Sequence, residues 1–152
     1  MNQASTGDFS KKNIRVALDK VLSCDDFVRS KRIKQLLAYI VEKSISGKAN
    51  ELKAYTIGLD VYDRSPDFDP EKDAIVRVEM GRLRSKLEHY YLTTGKDETL
   101  RIIIPKGTYC PSFIDQRKSL SEQLENLTLG KMLQVHNLWK LLAIATMIPS
   151  IL

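Results

Sequence analysis

Arg77, Arg82, Arg84 and Lys86 place four permanent cations in one short stretch, with Val78, Gly81 and Ser85 between them. A guanidinium is a planar fork that can donate to O6 and N7 of one guanine together, whereas a phosphate needs only charge. Small residues among such cations let the backbone approach a large anionic surface closely. Other chemistry is poorly supplied. His89 and His136 are the only histidines, and no nucleophile and base can be paired. None of the GxxxxGK, GxGxxG, HExxH or GxSxG strings occurs. No enzyme activity, cofactor or bound metal is expected. Asp60, Asp63, Asp67 and Asp69 lack the spacing and closing Glu of a calcium loop, so turn and capping duty is their expected role.

The bulk properties agree with an anionic partner. The chain has 152 residues, 43% of them hydrophobic, and a formal net charge of +5. That is enough apolar material for one core with tails, and a charge bias that a solvated surface does not require. Cys24 and Cys110 stand far apart and outside any CxxC cluster, which favours buried thiols in a reducing cytosol. The N-terminus has no apolar run, so no signal peptide is expected.

The elements that would position the cations follow from periodicity. Residues 1–10 are polar and read as a mobile tail. Ile14, Leu18 and Val21/Leu22 predict a helix over 11–22, with a break at Cys24-Asp25-Asp26. Ser30 is the expected N-cap of a second helix with Ile33, Leu36/Leu37, Ile40/Val41 and Ile45 inward, and Gly47 ends it. A third helix is predicted over 51–62. Pro66 and Pro70 make the next stretch an acidic loop, and a long helix then runs over 73–91, closed by Gly95. Asp69, Glu71 and Asp73 are expected near its N-terminus, where the helix dipole favours negative charge. The period then changes from helix to strand. Leu100–Ile104, a Pro105-Lys106-Gly107-Thr108 turn and Tyr109–Phe113 predict a hairpin over 99–113, kept to an edge by Pro111.

On a helical wheel Val76, Met80, Leu83 and Leu87 form one stripe, flanked by Tyr90 and Tyr91. Val78, Gly81, Arg82, Ser85 and His89 lie opposite, with Arg77, Arg84 and Lys86 along the margins. A rod about 28 Å long at 1.5 Å per residue has the diameter to enter a DNA major groove. A charge run taken alone more often means a solvated helix face. A short helix, a loop, a long basic helix and a hairpin with a basic tip is nevertheless the order of a winged helix. The fold class expected is mainly α with a small β-hairpin, an α+β winged helix-turn-helix with an extra N-terminal helix. The groove reading requires the guanidinium groups to project outward together, free of carboxylate partners such as Glu79 and Glu88.

The run Ile75-Val76-Arg77-Val78-Glu79-Met80-Gly81-Arg82-Leu83-Arg84-Ser85-Lys86-Leu87 resembles the recognition helix of OmpR/PhoB-type winged-helix regulators. Ile102 through Tyr109 resembles their wing, and Tyr55 through Tyr62 occupies the place of their positioning helix. Lys53-Ala54-Tyr55-Thr56-Ile57-Gly58 and Asp67-Phe68-Asp69-Pro70 are similar to a bacterial subgroup found at the N-terminus of larger, often membrane-anchored proteins. The likeness spans roughly residues 11–114, with a helix in place of the family's N-terminal sheet. It implies a DNA-binding transcriptional regulator in which Arg77, Val78 and Arg82 face base edges. Arg84, Ser85 and Lys86 would contact the DNA backbone, and Lys106 on the wing would contact the backbone or minor groove. It also implies that the 63–72 loop is where RNA polymerase would be touched.

Residues 115–137 read as a connector whose Leu120, Leu124 and Leu127 suggest an amphipathic stretch, and hence a homodimer on DNA. The apolar segment 138–152 is too short for an ordinary span. Its Trp139-Lys140 flank fits the start of a membrane anchor or a membrane contact, and a dimer-packing helix or a helix folded on the core stays open. The expected location is cytoplasmic, with or without a tether to the inner membrane. The rival function is a protein-interaction or membrane-tethered sensor module whose winged helix binds no DNA.

Overall fold

In a computed structural model, residues 9–117 are described, and those up to Gln116 belong to one compact unit. Helix α1, Lys11–Ser23, begins where the Ser10 hydroxyl accepts the Asn13 amide, and buries Ile14, Ala17, Leu18 and Val21. The expected break holds one further turn, α2 (Asp25–Val28), formed because Phe27 drops fully into the core. Helix α3, Lys31–Ile45, buries Ile33, Leu36, Leu37, Ile40, Val41 and Ile45. Ser30 precedes it without a side-chain cap, and Gly47 at φ +80° turns the chain away from it.

The third predicted helix starts later than the pattern suggests. Ala49–Glu51 is a 3₁₀ turn, Lys53 is extended, and α4 covers Ala54–Tyr62. The Thr56 hydroxyl accepts the Lys53 amide and donates to the Glu51 carbonyl, which fixes the start at Ala54. Asp63 ends α4 in the left-handed region at φ 53°. The acidic loop is then pinned to α4. Tyr55 donates its hydroxyl to the Pro66 carbonyl, and the Phe68 ring lies where a Cβ on Gly58 would stand.

Helix α5 covers Ile75–Leu92, two residues inside the predicted start. The acids do not occupy its first turn. Asp69 accepts the Glu71 amide in a turn, and Asp73 accepts the Ile75 amide. Val76, Met80, Leu83, Leu87, Tyr90 and Tyr91 are buried along the predicted stripe. Gly95 donates its amide to the Tyr90 carbonyl at 2.8 Å with the Tyr90 ring against its α-carbon, so the helix closes where expected.

The fold is mainly helical with a two-stranded antiparallel hairpin, an α+β class. Strand β1, Leu100–Ile103, pairs with β2, Ser112–Asp115, in a register that sets Ile103 against Ser112 and Leu100 against Asp115. The second strand is shifted from its predicted 109–113. Pro111 has no amide to donate and stands just before β2, leaving Tyr109 and Cys110 in the connection. Helices α3, α4 and α5 pack on one another, β1 packs on α5, and α1 contacts both α3 and β1. Arg15 of α1 holds Glu42 of α3 through two bonds of 3.0 and 2.9 Å. Cys24 and Cys110 are free and only half-buried.

Two tyrosine hydroxyls tie elements together. Tyr39 donates to Asp60 at 2.6 Å, and Tyr91 accepts the buried Ile102 amide at 2.8 Å. Burial chiefly, and for Tyr39 also the Asp60 hydrogen bond, pushes both pKa values up to about 12. A raised folded-state value stabilises the fold fully below the unfolded-state value of about 10, and that stability is lost as pH rises through the folded value. The midpoint of thermal unfolding, followed by circular dichroism, should be insensitive to these groups up to about pH 10 and fall steeply towards 12. A midpoint unchanged across that window would refute the linkage.

The expected tail over 1–10 falls almost wholly outside the described residues. So do the Leu120/Leu124/Leu127 stripe with its dimer and the 138–152 membrane segment. Among the described residues no helix is long and apolar enough to cross a membrane.

Candidate nucleic-acid interface

The outer surface of α5 is built by its own register. With Val76, Met80, Leu83 and Leu87 inward, Arg77, Val78, Gly81, Arg82, Ser85, Glu88 and His89 are exposed. A Cβ placed on Gly81 would meet nothing within 4 Å, so no internal contact requires glycine there. Val78 is 47% exposed, which leaves an apolar methyl pair on the surface beside two arginines. Ser85 returns its hydroxyl to the Gly81 carbonyl at 3.3 Å and stays on the outer face.

The cations do not form one free set. Arg77 has no hydrogen bond or ion pair to any described residue. Arg82 donates from Nη1 to Glu79 Oε1 at 2.6 Å, so the requirement that it be free of carboxylates is not met. Its side chain is nonetheless 68% exposed, and Glu79, at 9%, is the buried member.

Arg84 turns away from the outer face. Its Nε donates to the Ile104 carbonyl at 2.9 Å, and Nη2 donates to the carbonyls of Thr108 at 2.9 Å and Pro105 at 3.3 Å. The side chain expected at the DNA backbone clamps the hairpin turn in this structure. Lys86 is also tied inside the protein, with Nζ donating to the Asp26 carbonyl at 3.0 Å. The Asp26 carboxylate lies 3.6 Å from His89 Nε2. Both departures have one cause: a residue on the margin of a helix has a side chain long enough to reach a neighbouring element, and α2 and the hairpin supply carbonyls there.

The hairpin tip complements this face. Pro105, Lys106 and Gly107 are exposed, and Gly107 adopts φ +82°, which only a residue without Cβ takes readily. Arg84 near the middle of α5 and Tyr91 near its end fix the hairpin to the helix, so Lys106 is carried on the same frame as Arg77 and Arg82. Comparisons with family models, curated proteins and solved structures gave no match to this chain.

Sequence reasoning raises Glu79 as a possible carboxylate partner of the arginines but does not foresee its burial. Its signal was present, since position 79 is three residues after Val76 and four before Leu83, on the edge of the apolar stripe. A carboxylate there with an arginine one turn later forecasts a half-buried ion pair. Burial, and secondly the charge of Glu79, push the pKa of the Tyr62 hydroxyl above its ordinary value. That hydroxyl is buried with no hydrogen-bond partner among the described residues. Three acidic residues in and beside this loop have partners of their own: Asp67 with Ser65, Asp69 with Lys72, and Asp73 with Arg64.

Proposed function

We propose that this chain is a sequence-specific DNA-binding module of the winged helix-turn-helix type, related in kind to the OmpR/PhoB-type regulators it resembles. On this reading only two of the four cations face the DNA. The N-terminal half of α5 enters the major groove with Arg77 and with Arg82, which stays 68% exposed although Glu79 holds it. The Lys106 tip lies on the backbone or in the adjacent minor groove. One observation carries the reading: an exposed helix face with Arg77, Val78, Gly81 and Arg82 is open at its centre and rigidly joined to a basic hairpin tip. Recognition helices read bases with their N-terminal residues, and here α2 and the hairpin occupy the margins of the C-terminal half.

Binding of the full chain to duplex DNA should weaken steeply with salt, by roughly 0.9 in log–log slope for each phosphate neutralised. Arg82→Ala should cost roughly 1–3 kcal/mol on a selected duplex and relax preference at one base pair. Selection from a random duplex pool, followed by titration of both proteins, reads both effects. An Arg82→Ala protein with unchanged affinity and preference would exclude this face as the reader.

A protein-interaction module is favoured instead by the pairing of Arg82 with Glu79 and the internal use of Arg84 and Lys86. These leave Arg77 as the one unpaired cation among the four on α5. Failure of the random pool to enrich any motif at low salt would promote that reading.

A further inference from the structure

The contrast between the two outward arginines has a chemical consequence that rests on the DNA-binding reading above. Arg77 is unanchored among the described residues, whereas Arg82 is held by a carboxylate that is itself buried. An ion pair between two exposed side chains is loose, because each partner keeps its rotamer freedom. Glu79 has little freedom to lose: its side chain is buried, and Arg82 makes its only hydrogen bond among the described residues. Separating the pair would leave a buried carboxylate without its cation, so Arg82 is kept on its anchor in the free protein.

The bond uses Nη1. The Nε and Nη2 edge of the guanidinium therefore keeps two parallel donors, the pair that matches guanine N7 and O6. We infer that Glu79 is a positioning residue that presents Arg82 by its Nε–Nη2 edge and thereby sets a guanine preference at one position of the bound duplex. Arg77, with no anchor, supplies charge and adapts to whatever lies beside it. The ordering of Arg82 occurs when the protein folds and not when it binds, which favours discrimination over general adhesion.

Glu79 also brings a negative charge near the phosphates, so its removal has two effects of opposite sign. In the full chain, Glu79→Gln should bind a scrambled duplex about two- to threefold more tightly, since one repulsive charge is gone. On the duplex selected by the unmodified protein, guanine-to-adenine discrimination at the position relaxed by Arg82→Ala should fall from about tenfold or more to about threefold. Glu79→Asp keeps the charge and shortens the reach. It should lose the discrimination without the gain on scrambled DNA. Circular dichroism of each variant reports the fold independently.

Retention of full discrimination by both variants would overturn the assignment. So would a proportional loss on both duplexes, which is the mark of a merely structural role. If the unmodified chain binds neither pool nor scrambled duplex, the DNA-binding reading fails first and this inference with it.

Discussion

Arg84→Ala should lower the free energy of unfolding by about 3 kcal/mol and, on the proposed DNA-binding reading, weaken DNA binding at least tenfold. Three backbone carbonyls, of Ile104, Pro105 and Thr108, receive the guanidinium across a separation of twenty to twenty-four residues. A hydrogen bond to a charged group is worth about 1.5–3 kcal/mol when well buried, and about 1 kcal/mol each is a fair figure for this half-exposed site. Without the clamp, β1 still joins α5 through Tyr91 and the core residue Ile102, with Ile104 buried just after it, so the domain should fold. What is lost is the fixed relation between the Lys106 tip and the outer face of α5. Arg84→Lys keeps the charge but offers no planar fork, and should recover less than half of the stability. Urea unfolding followed by circular dichroism, with DNA titration in parallel, separates the two roles. If Arg84→Lys restores DNA binding in full while stability stays low, Arg84 serves the DNA as a charge and the clamp is incidental.

Much of the architecture was legible because it follows from burial periodicity. The stripes of α1, α3 and α5 recur at three and four residues, and each is buried as its pattern requires. The hairpin was visible in the change of period, and only its second strand was misplaced, by the missing amide of Pro111. Elements set by a single contact were not legible. Helix α2 exists for the sake of one side chain, Phe27, and the start of α4 depends on the hydroxyl of Thr56. Too short to show a period, such features follow from packing and capping that only the assembled fold supplies.

The site divides in the same way. A wheel tells which side of α5 a residue occupies, and Arg77, Val78, Gly81, Arg82 and Ser85 are exposed as it predicts. It does not tell where a long side chain ends. Arg84 and Lys86 lie on the margins and extend to carbonyls of the hairpin and α2, far away in sequence. Charge counting therefore overstates the free basic surface, and the useful distinction among these cations is which are anchored and to what.

Gly81→Leu should make the protein more stable and, if α5 reads DNA as proposed, a much poorer DNA binder. Glycine inside a helix is less favourable than alanine by about 0.8–1 kcal/mol, and leucine is close to alanine on that scale. The position is mid-helix, exposed, and a Cβ there meets no atom within 4 Å, so a side chain can leave the helix there without a clash at its first carbon. The urea midpoint should accordingly rise, by an amount corresponding to roughly 0.8 kcal/mol. Gly81 lies between Val78 and Arg82 on the exposed face, where the groove floor would approach the backbone. A leucine would stand the helix off and remove the short distances on which base contacts depend, for a loss of about 100-fold, or ~2.7 kcal/mol, on the selected duplex. Gly81→Ala should show the same stabilisation with a smaller loss. Few surface substitutions are expected to move stability and function in opposite directions, and general damage to the fold cannot produce that pair of results. A Gly81→Leu protein that is more stable and binds the duplex undiminished would show that the DNA lies on another face.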